Sequence, residues 1–110
     1  MGIRSVLAKP FAAYIAKETK EWSLKPFQYQ QKVFNHIIDG GKETLFGKDH
    51  GFESIRNHQD FIRQVPIRDY EDLKPYVEKV LHGESDILWK GKPLYFAKTS
   101  GTTSGTKYIP

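Results

Sequence analysis

The sequence predicts an α+β chain: a mainly helical region over residues 1–83, then short strands leading into a loop of glycine, hydroxyl and lysine side chains over 84–110. Three observations predict it. Apolar residues in the first region recur at offsets of three and four, which puts them on one face of a helix. Proline and glycine punctuate that pattern at Pro26, Gly40-Gly41, Pro66 and Gly83. Beyond Ile87 the periodicity gives way to a turn, Lys90-Gly91-Lys92-Pro93, and an extended run, Leu94-Tyr95-Phe96-Ala97. A chain of 110 residues has room for one core. It buries only a little over about 60% of its unfolded surface, so its stability is narrow unless a larger body completes it.

The first helical series is Val6, Leu7, Phe11, Tyr14, Ile15 and Trp22. Pro10 lacks an amide donor and clashes with the preceding turn, so the helix is expected to start there or kink. Leu24-Lys25-Pro26 interrupts the pattern, and Gln30, Val33, Phe34, Ile37 and Ile38 resume it. Gly40-Gly41 ends this second helix, glycine being the residue that readily takes the positive φ of a helix terminus. Residues 44–52, with Gly47, Gly51 and Lys48-Asp49-His50, read as a connecting loop that Phe46 and Phe52 pin to the core.

A short helix from about Ser54 follows, with Ser54 as its cap and Ile55, Phe61 and Ile62 as its apolar face. Pro66 stops it by pushing the preceding residue away from helical geometry. Asp69 caps the next helix, whose positive end suits Glu71 and Asp72. Pro75 lies too far in for a regular helix capped at Asp69. A separate first turn or a bend is therefore expected, with Tyr76, Val77, Val80 and Leu81 packing beyond it and Gly83 as the exit.

Composition removes several functional classes. Apolar residues make up 38% and aromatic residues 14%, too many for a disordered segment. The net charge of +4 is spread among acids, as at Lys42-Glu43 and Glu78-Lys79, without a zinc finger, helix-turn-helix or RNA-binding motif. No nucleic-acid partner is expected. The absence of cysteine excludes disulfide and thiolate chemistry. His36, His50, His58 and His82 lack ligand spacing, so no metal site is expected among them. The longest apolar run, 11–16, is far shorter than the roughly 20 residues that cross a bilayer. The start of the chain lacks the apolar core of a signal peptide, which leads to an expected cytoplasmic location. Glu18 and Glu21 argue against a membrane-surface helix.

The chemistry concentrates in Thr99-Ser100-Gly101-Thr102-Thr103-Ser104-Gly105-Thr106-Lys107, which holds two glycines, six hydroxyls and one ammonium in nine positions. Glycines let backbone amides converge on anionic oxygens, hydroxyls add donors, and lysine adds positive charge. The same residue types also fill flexible linkers, so composition alone leaves both readings open. The loop is not a Walker A sequence, because its second required glycine would fall where Thr106 stands. Neither the dinucleotide pattern nor the kinase glycine loop fits the spacing.

Residues 99–110 resemble the phosphate loop of adenylate-forming enzymes, especially the acyl-acid amido synthetases of the plant auxin-responsive GH3 family and their bacterial relatives. Ser104 between Thr103 and Gly105, and the closing Ile109-Pro110, carry the resemblance. Residues 65–76, Val-Pro-Ile-Arg-Asp-Tyr-Glu-Asp-Leu-Lys-Pro-Tyr, are similar to the family at the expected distance ahead. The resemblance implies an amino-terminal fragment of the large domain of a bacterial member. There the loop holds ATP while a carboxylate attacks the α-phosphorus, pyrophosphate leaves, and an amino acid amine attacks the acyl-adenylate. Carried onto this chain, Gly101 and Gly105 cradle phosphates, Ser100, Thr102, Thr103 and Ser104 donate hydroxyl bonds, and Lys107 stabilises charge as the catalytic cation.

The resemblance also implies ATP and Mg2+ as cofactors of the full-length enzyme, and a carboxylic acid, an amino acid and the remainder of the adenylation domain as partners. No metal ligands are expected within these residues. The chain alone is expected to be inactive and to bind ATP weakly, since the adenine pocket and ribose-binding acid come later in the family. Tyr70 and Tyr76 are expected to cover the core while Glu71, Asp72 and Lys74 face water. The competing reading is a small helical interaction module that self-associates through an exposed face of Val33, Phe34, Ile37 and Ile38, with the Ser/Thr/Gly tract as a tail.

Overall fold

The computed structural model describes residues 2–101 and 105–110. The chain divides into two compact units, one ending at Phe34 and the other running from Asn35 to Pro110.

In the first unit, α1 spans Ile3–Leu24 and α2, Pro26–Gly41, begins. The helix neither starts nor breaks at Pro10, which lies inside α1. Proline there deletes one bond, to the Val6 carbonyl, and the many remaining bonds of a 22-residue helix carry the backbone through. No residue of α1 is buried, and Leu7 and Phe11 are 70% and 68% exposed. Pro26 occupies the first position of α2, where its missing N–H has no intrahelical partner to lose.

The second unit holds the core, in which Ile38, Phe52, Ile55, Val77, Val80 and Ile87 are buried. Helix α2 does end at Gly41, but neither glycine there takes a positive φ. Their small size is what the site requires. A Cβ on Gly40 would collide with the Trp89 ring, and one on Gly41 would lie 2.8 Å from the Phe52 ring.

Residues 44–52 are more ordered than a connecting loop. Thr44 caps a short helix, α3 at Leu45–Asp49, by accepting from Gly47 N–H at 3.0 Å while donating to the Gly41 carbonyl at 2.7 Å. Two further amides at the start of α3 find partners late in the chain: Leu45 N–H donates to the Asp86 carbonyl and Phe46 N–H to the Ile87 carbonyl. Gly51, at φ 61°, then leads into a 3-10 turn at Phe52–Ser54. Phe52 is buried and Phe46 half-buried, edge to face at 6.0 Å, so both pin the segment as expected.

Helix α4, His58–Gln64, starts later than expected because Asn57 is the cap, its side chain accepting from Asp60 N–H, whereas Ser54 belongs to the 3-10 turn. Ile62 is exposed and does not join the apolar face. Val65 is extended ahead of Pro66, as the stop requires.

Helix α5, Tyr70–Leu81, is capped by Asp69, which accepts from Asp72 N–H at 3.0 Å. It runs through Pro75 without a separate first turn. The deleted bond falls on exposed positions, Pro75 and Glu71, while Val77 and Val80 bury the opposite side. Leu81 stays exposed rather than packing, and Gly83 supplies the exit at φ 87°.

The sheet is a single antiparallel pair among the described residues, β1 at Ala97–Lys98 and β2 at Tyr108–Ile109, with Ala97 opposite Ile109 and Lys98 opposite Tyr108. Only Ala97 of the expected run 94–97 lies in a strand. A strand needs a partner, and the partner here is just two residues long; Leu94 and Tyr95 remain exposed. No helix among the described residues is long and apolar enough to cross a membrane.

Candidate functional site

The pair β1 and β2 forms the stem of the 99–107 loop. One step inward from the strands, Thr99 N–H donates to the Lys107 carbonyl at 3.0 Å, and Lys107 N–H donates to Thr99 Oγ1 at 3.0 Å. The side chain of Thr99 thus closes the stem where the backbone ladder stops.

Gly101 and Gly105 both occupy the left-handed region, at φ 70° and 81°. That conformation costs an L residue roughly 1–2 kcal/mol and glycine nothing comparable. Gly101 has a second reason to be glycine: a Cβ there would sit 3.0 Å from both the Gly105 carbonyl carbon and the Thr106 nitrogen. The two limbs of the loop approach each other through bare backbone. Thr102, Thr103 and Ser104 lie outside the described residues.

Of the remaining predicted site residues, Ser100 and Gly105 are exposed, while Gly101 and Lys107 are half-buried. Neither the Ser100 nor the Thr106 hydroxyl bonds another described residue. Lys107 extends over the ring of Tyr70, with Nζ 5.4 Å from the ring centre.

The structure therefore brings Tyr70 to the loop, a residue that sequence reasoning assigned to covering the core. Its hydroxyl accepts from Tyr108 N–H at 3.1 Å and donates to the Tyr108 carbonyl at 3.2 Å. The Asp69 cap fixes Tyr70 as the first residue of α5, but no local signal in the sequence places it beside a loop 38 residues away. Tyr76, further along α5, behaves differently. Its hydroxyl donates to Asp49 at 2.7 Å and its ring meets Phe46 edge-on. Burial first, and then the bond to Asp49, push the Tyr76 phenol above its ordinary pKa.

Beside the stem runs a largely apolar groove of about 550 Å3, lined by Tyr70, Leu73 and Val77 of α5, by Trp89, and by Tyr108 and Ile109 of β2. The tract after Ala97 is thus no loose tail: its stem is paired, closed by Thr99 and tied to α5. The exposed face assigned to the interaction module is also incomplete, because Ile38 is only 3% exposed and belongs to the core. Chemically, a stem-closed turn with left-handed glycines, hydroxyl side chains and a lysine at its exit can present several donors to one anion.

The sequence profile of the GH3 family N-terminal domain matches residues 15–110. Over 94 residues the chain is 27% identical to indole-3-acetic acid-amido synthetase GH3.2 of Arabidopsis thaliana, covering 84% of this chain and 17% of that protein. It is 30% identical over 79 residues to indole-3-acetic acid-amido synthetase GH3.17 of the same plant, covering 71% and 13%. A jasmonoyl–L-amino acid synthetase of Nicotiana attenuata, JAR6, is 26% identical over 98 residues, covering 87% and 17%. The chain spans less than a fifth of the length of these three relatives. No solved structure matches it significantly.

Proposed function

Because the chain belongs to the GH3 family, we propose that its 99–107 loop holds the phosphates of ATP in a protein that joins a carboxylic acid to the amine of an amino acid. The observation that carries this reading is the pair of left-handed glycines, Gly101 and Gly105, closing on each other above a stem whose exit residue is Lys107. Glycine takes this backbone at low conformational cost, and donors fixed in such a turn are worth most where charge develops during a reaction.

In this proposal the substrate carboxylate attacks the α-phosphorus, the bond to pyrophosphate breaks, and the acid is left as a mixed anhydride with AMP. The amino acid amine then attacks the acyl carbonyl and AMP departs. Amides near Gly101 and Gly105 and hydroxyls of Ser100, Thr102, Thr103 and Ser104 hold the phosphate oxygens. Lys107 offsets the charge that accumulates as pyrophosphate leaves. Amides, hydroxyls and an ammonium suit an anion. No group of three or more His, Cys, Asp or Glu that could hold a metal occurs among the described residues. A magnesium ion accompanying ATP would offset phosphate charge, and no described residue is assigned to it.

The named relatives differ in their acids, one being an indole-3-acetic acid-amido synthetase and the other a jasmonoyl–L-amino acid synthetase, and have in common the joining of an acid to an amido or amino acid group. The proposal is accordingly confined to that shared operation and does not extend to auxin. The exposed apolar side chains of α1 support a further part of the reading, that the remainder of an adenylation domain covers them. A helix with no buried residue gains little from its own apolar face. A cytoplasmic location, where ATP is plentiful, suits this reaction.

The test is ATP–pyrophosphate exchange by the full-length protein, supplied with candidate acids. Lys107→Ala and Gly101→Val are each expected to lower the exchange rate by about 100-fold, the scale set by removal of a preorganised donor. Exchange that persists unchanged in both variants would take the loop out of the reaction. The 110-residue chain alone is expected to bind ATP more weakly than about 10 µM. Tighter binding would show that these residues suffice without the rest.

A further inference from the structure

We infer that Tyr70 is a positioning residue for the 99–107 loop, acting through the backbone of Tyr108 and the side chain of Lys107; this rests on the phosphate-loop reading above. In an antiparallel pair, successive residues turn their N–H and C=O groups alternately toward the partner strand and away from it. Thr99 and Lys107 face each other through a backbone bond, and Lys98 stands opposite Tyr108 at the next position. Tyr108 therefore turns its amide and carbonyl away from β1, toward the open edge of a two-stranded sheet. So short a sheet has little independent stability in water.

One hydroxyl takes both of those edge groups. Tyr70 accepts from the amide at 3.1 Å and donates to the carbonyl at 3.2 Å, standing in for the residue a third strand would supply. The bond spans 38 residues of sequence, so it ties the loop's exit to the capped start of α5. The same ring lies under the Lys107 ammonium, 5.4 Å from its centre, which favours one direction for the lysine side chain. Backbone register and cation direction are thus set by one side chain, through Tyr108 and Lys107. Tyr76 provides an internal contrast: it leaves the same helix and bonds Asp49, away from the stem.

The experiment compares the full-length protein with Tyr70→Phe, which keeps the ring and removes the hydroxyl, and with Tyr76→Phe. Two quantities are read, exchange of the Tyr108 amide by mass spectrometry and the Kd for ATP with magnesium. In Y70F the Tyr108 amide is expected to exchange about tenfold faster and the Kd for ATP to rise about fivefold, as loss of bonds of ordinary net strength implies. In Y76F both quantities should stay within about twofold of the unsubstituted protein. Unchanged exchange at Tyr108 in Y70F would overturn the clamp. Faster exchange with unchanged ATP affinity would overturn its positioning role, as would an equal loss of affinity in Y76F. If the unsubstituted protein binds no ATP, the phosphate reading fails and takes this inference with it. That outcome is distinguishable because the Tyr108 measurement needs no nucleotide.

Discussion

Around Thr44 and around Thr99 the chain turns with the same residue types, a threonine set among glycines, yet it uses them differently. The Thr44 hydroxyl is spent inward, donating to Gly41 and accepting from Gly47, and the residue is 1% exposed. Gly41 and Gly47 keep ordinary negative φ; they are glycines because neighbouring atoms occupy the space of a Cβ. At the second turn Thr99 is tied to the stem by accepting from Lys107 N–H, and Gly101 and Gly105 are glycines for their left-handed backbone. Residue composition is shared by both; the burial of the threonine and the sign of the glycine φ separate them.

The largest effect should come from testing the two kinds of glycine. A Cβ at Gly47 would fall on the Gly41 carbonyl, backbone that cannot give way, whereas one at Gly105 meets nothing within 4 Å. Gly47→Ala is expected to cost about 3 kcal/mol or more in urea unfolding, as overpacking of buried sites can. Gly105→Ala carries only the strain of its φ, about 1–2 kcal/mol, and confined to the loop. Equal stabilities for the two variants would break the distinction between crowding and backbone conformation.

Next in size is the pair of threonines. Thr44→Val leaves the Gly47 amide without its acceptor at a buried site, an expected loss of about 2 kcal/mol. Thr99→Val strands the Lys107 amide in a half-buried place that water can reach, so less than about 1 kcal/mol is expected. Paired denaturant titrations would decide the order, and a reversed ranking would mean that the stem, not the Thr44 cap, holds the unit together.

How far the sequence discloses these two regions depends on how local their chemistry is. The Asp69 cap, the Pro66 stop and the Gly83 exit are legible because each acts on residues within one turn of it. Thr44 lacks an acid three residues on, so the usual capping signature is missing, and the carbonyls of Asp86 and Ile87 that complete α3 are distant in sequence. Pro10 and Pro75 mislead because a helix survives one deleted bond when the rest of it is intact. The loop's residue types are plain to read, and the left-handed glycines agree with them. The link from Tyr70 to Tyr108 is not legible, since no periodicity encodes a contact 38 residues apart.

The smallest effect follows from the tyrosine that belongs to the first region. Tyr76 donates to Asp49, and burial together with that bond raises its phenol above the ordinary value. Folding therefore favours the protonated phenol. Its contribution to stability is complete below the unfolded pKa, about 10, and is lost as pH rises through the higher folded value. Removing the hydroxyl in Tyr76→Phe should cost about 1 kcal/mol at neutral pH, discounted because the bond is reached by solvent. Above pH about 10 the difference between the two proteins should shrink as the native phenol ionises beside Asp49. Urea midpoints measured through that range would show it; a gap that widens with pH would mean that Tyr76 is held as the anion, and that the Asp49 contact does not close the Thr44 region in the way the geometry requires.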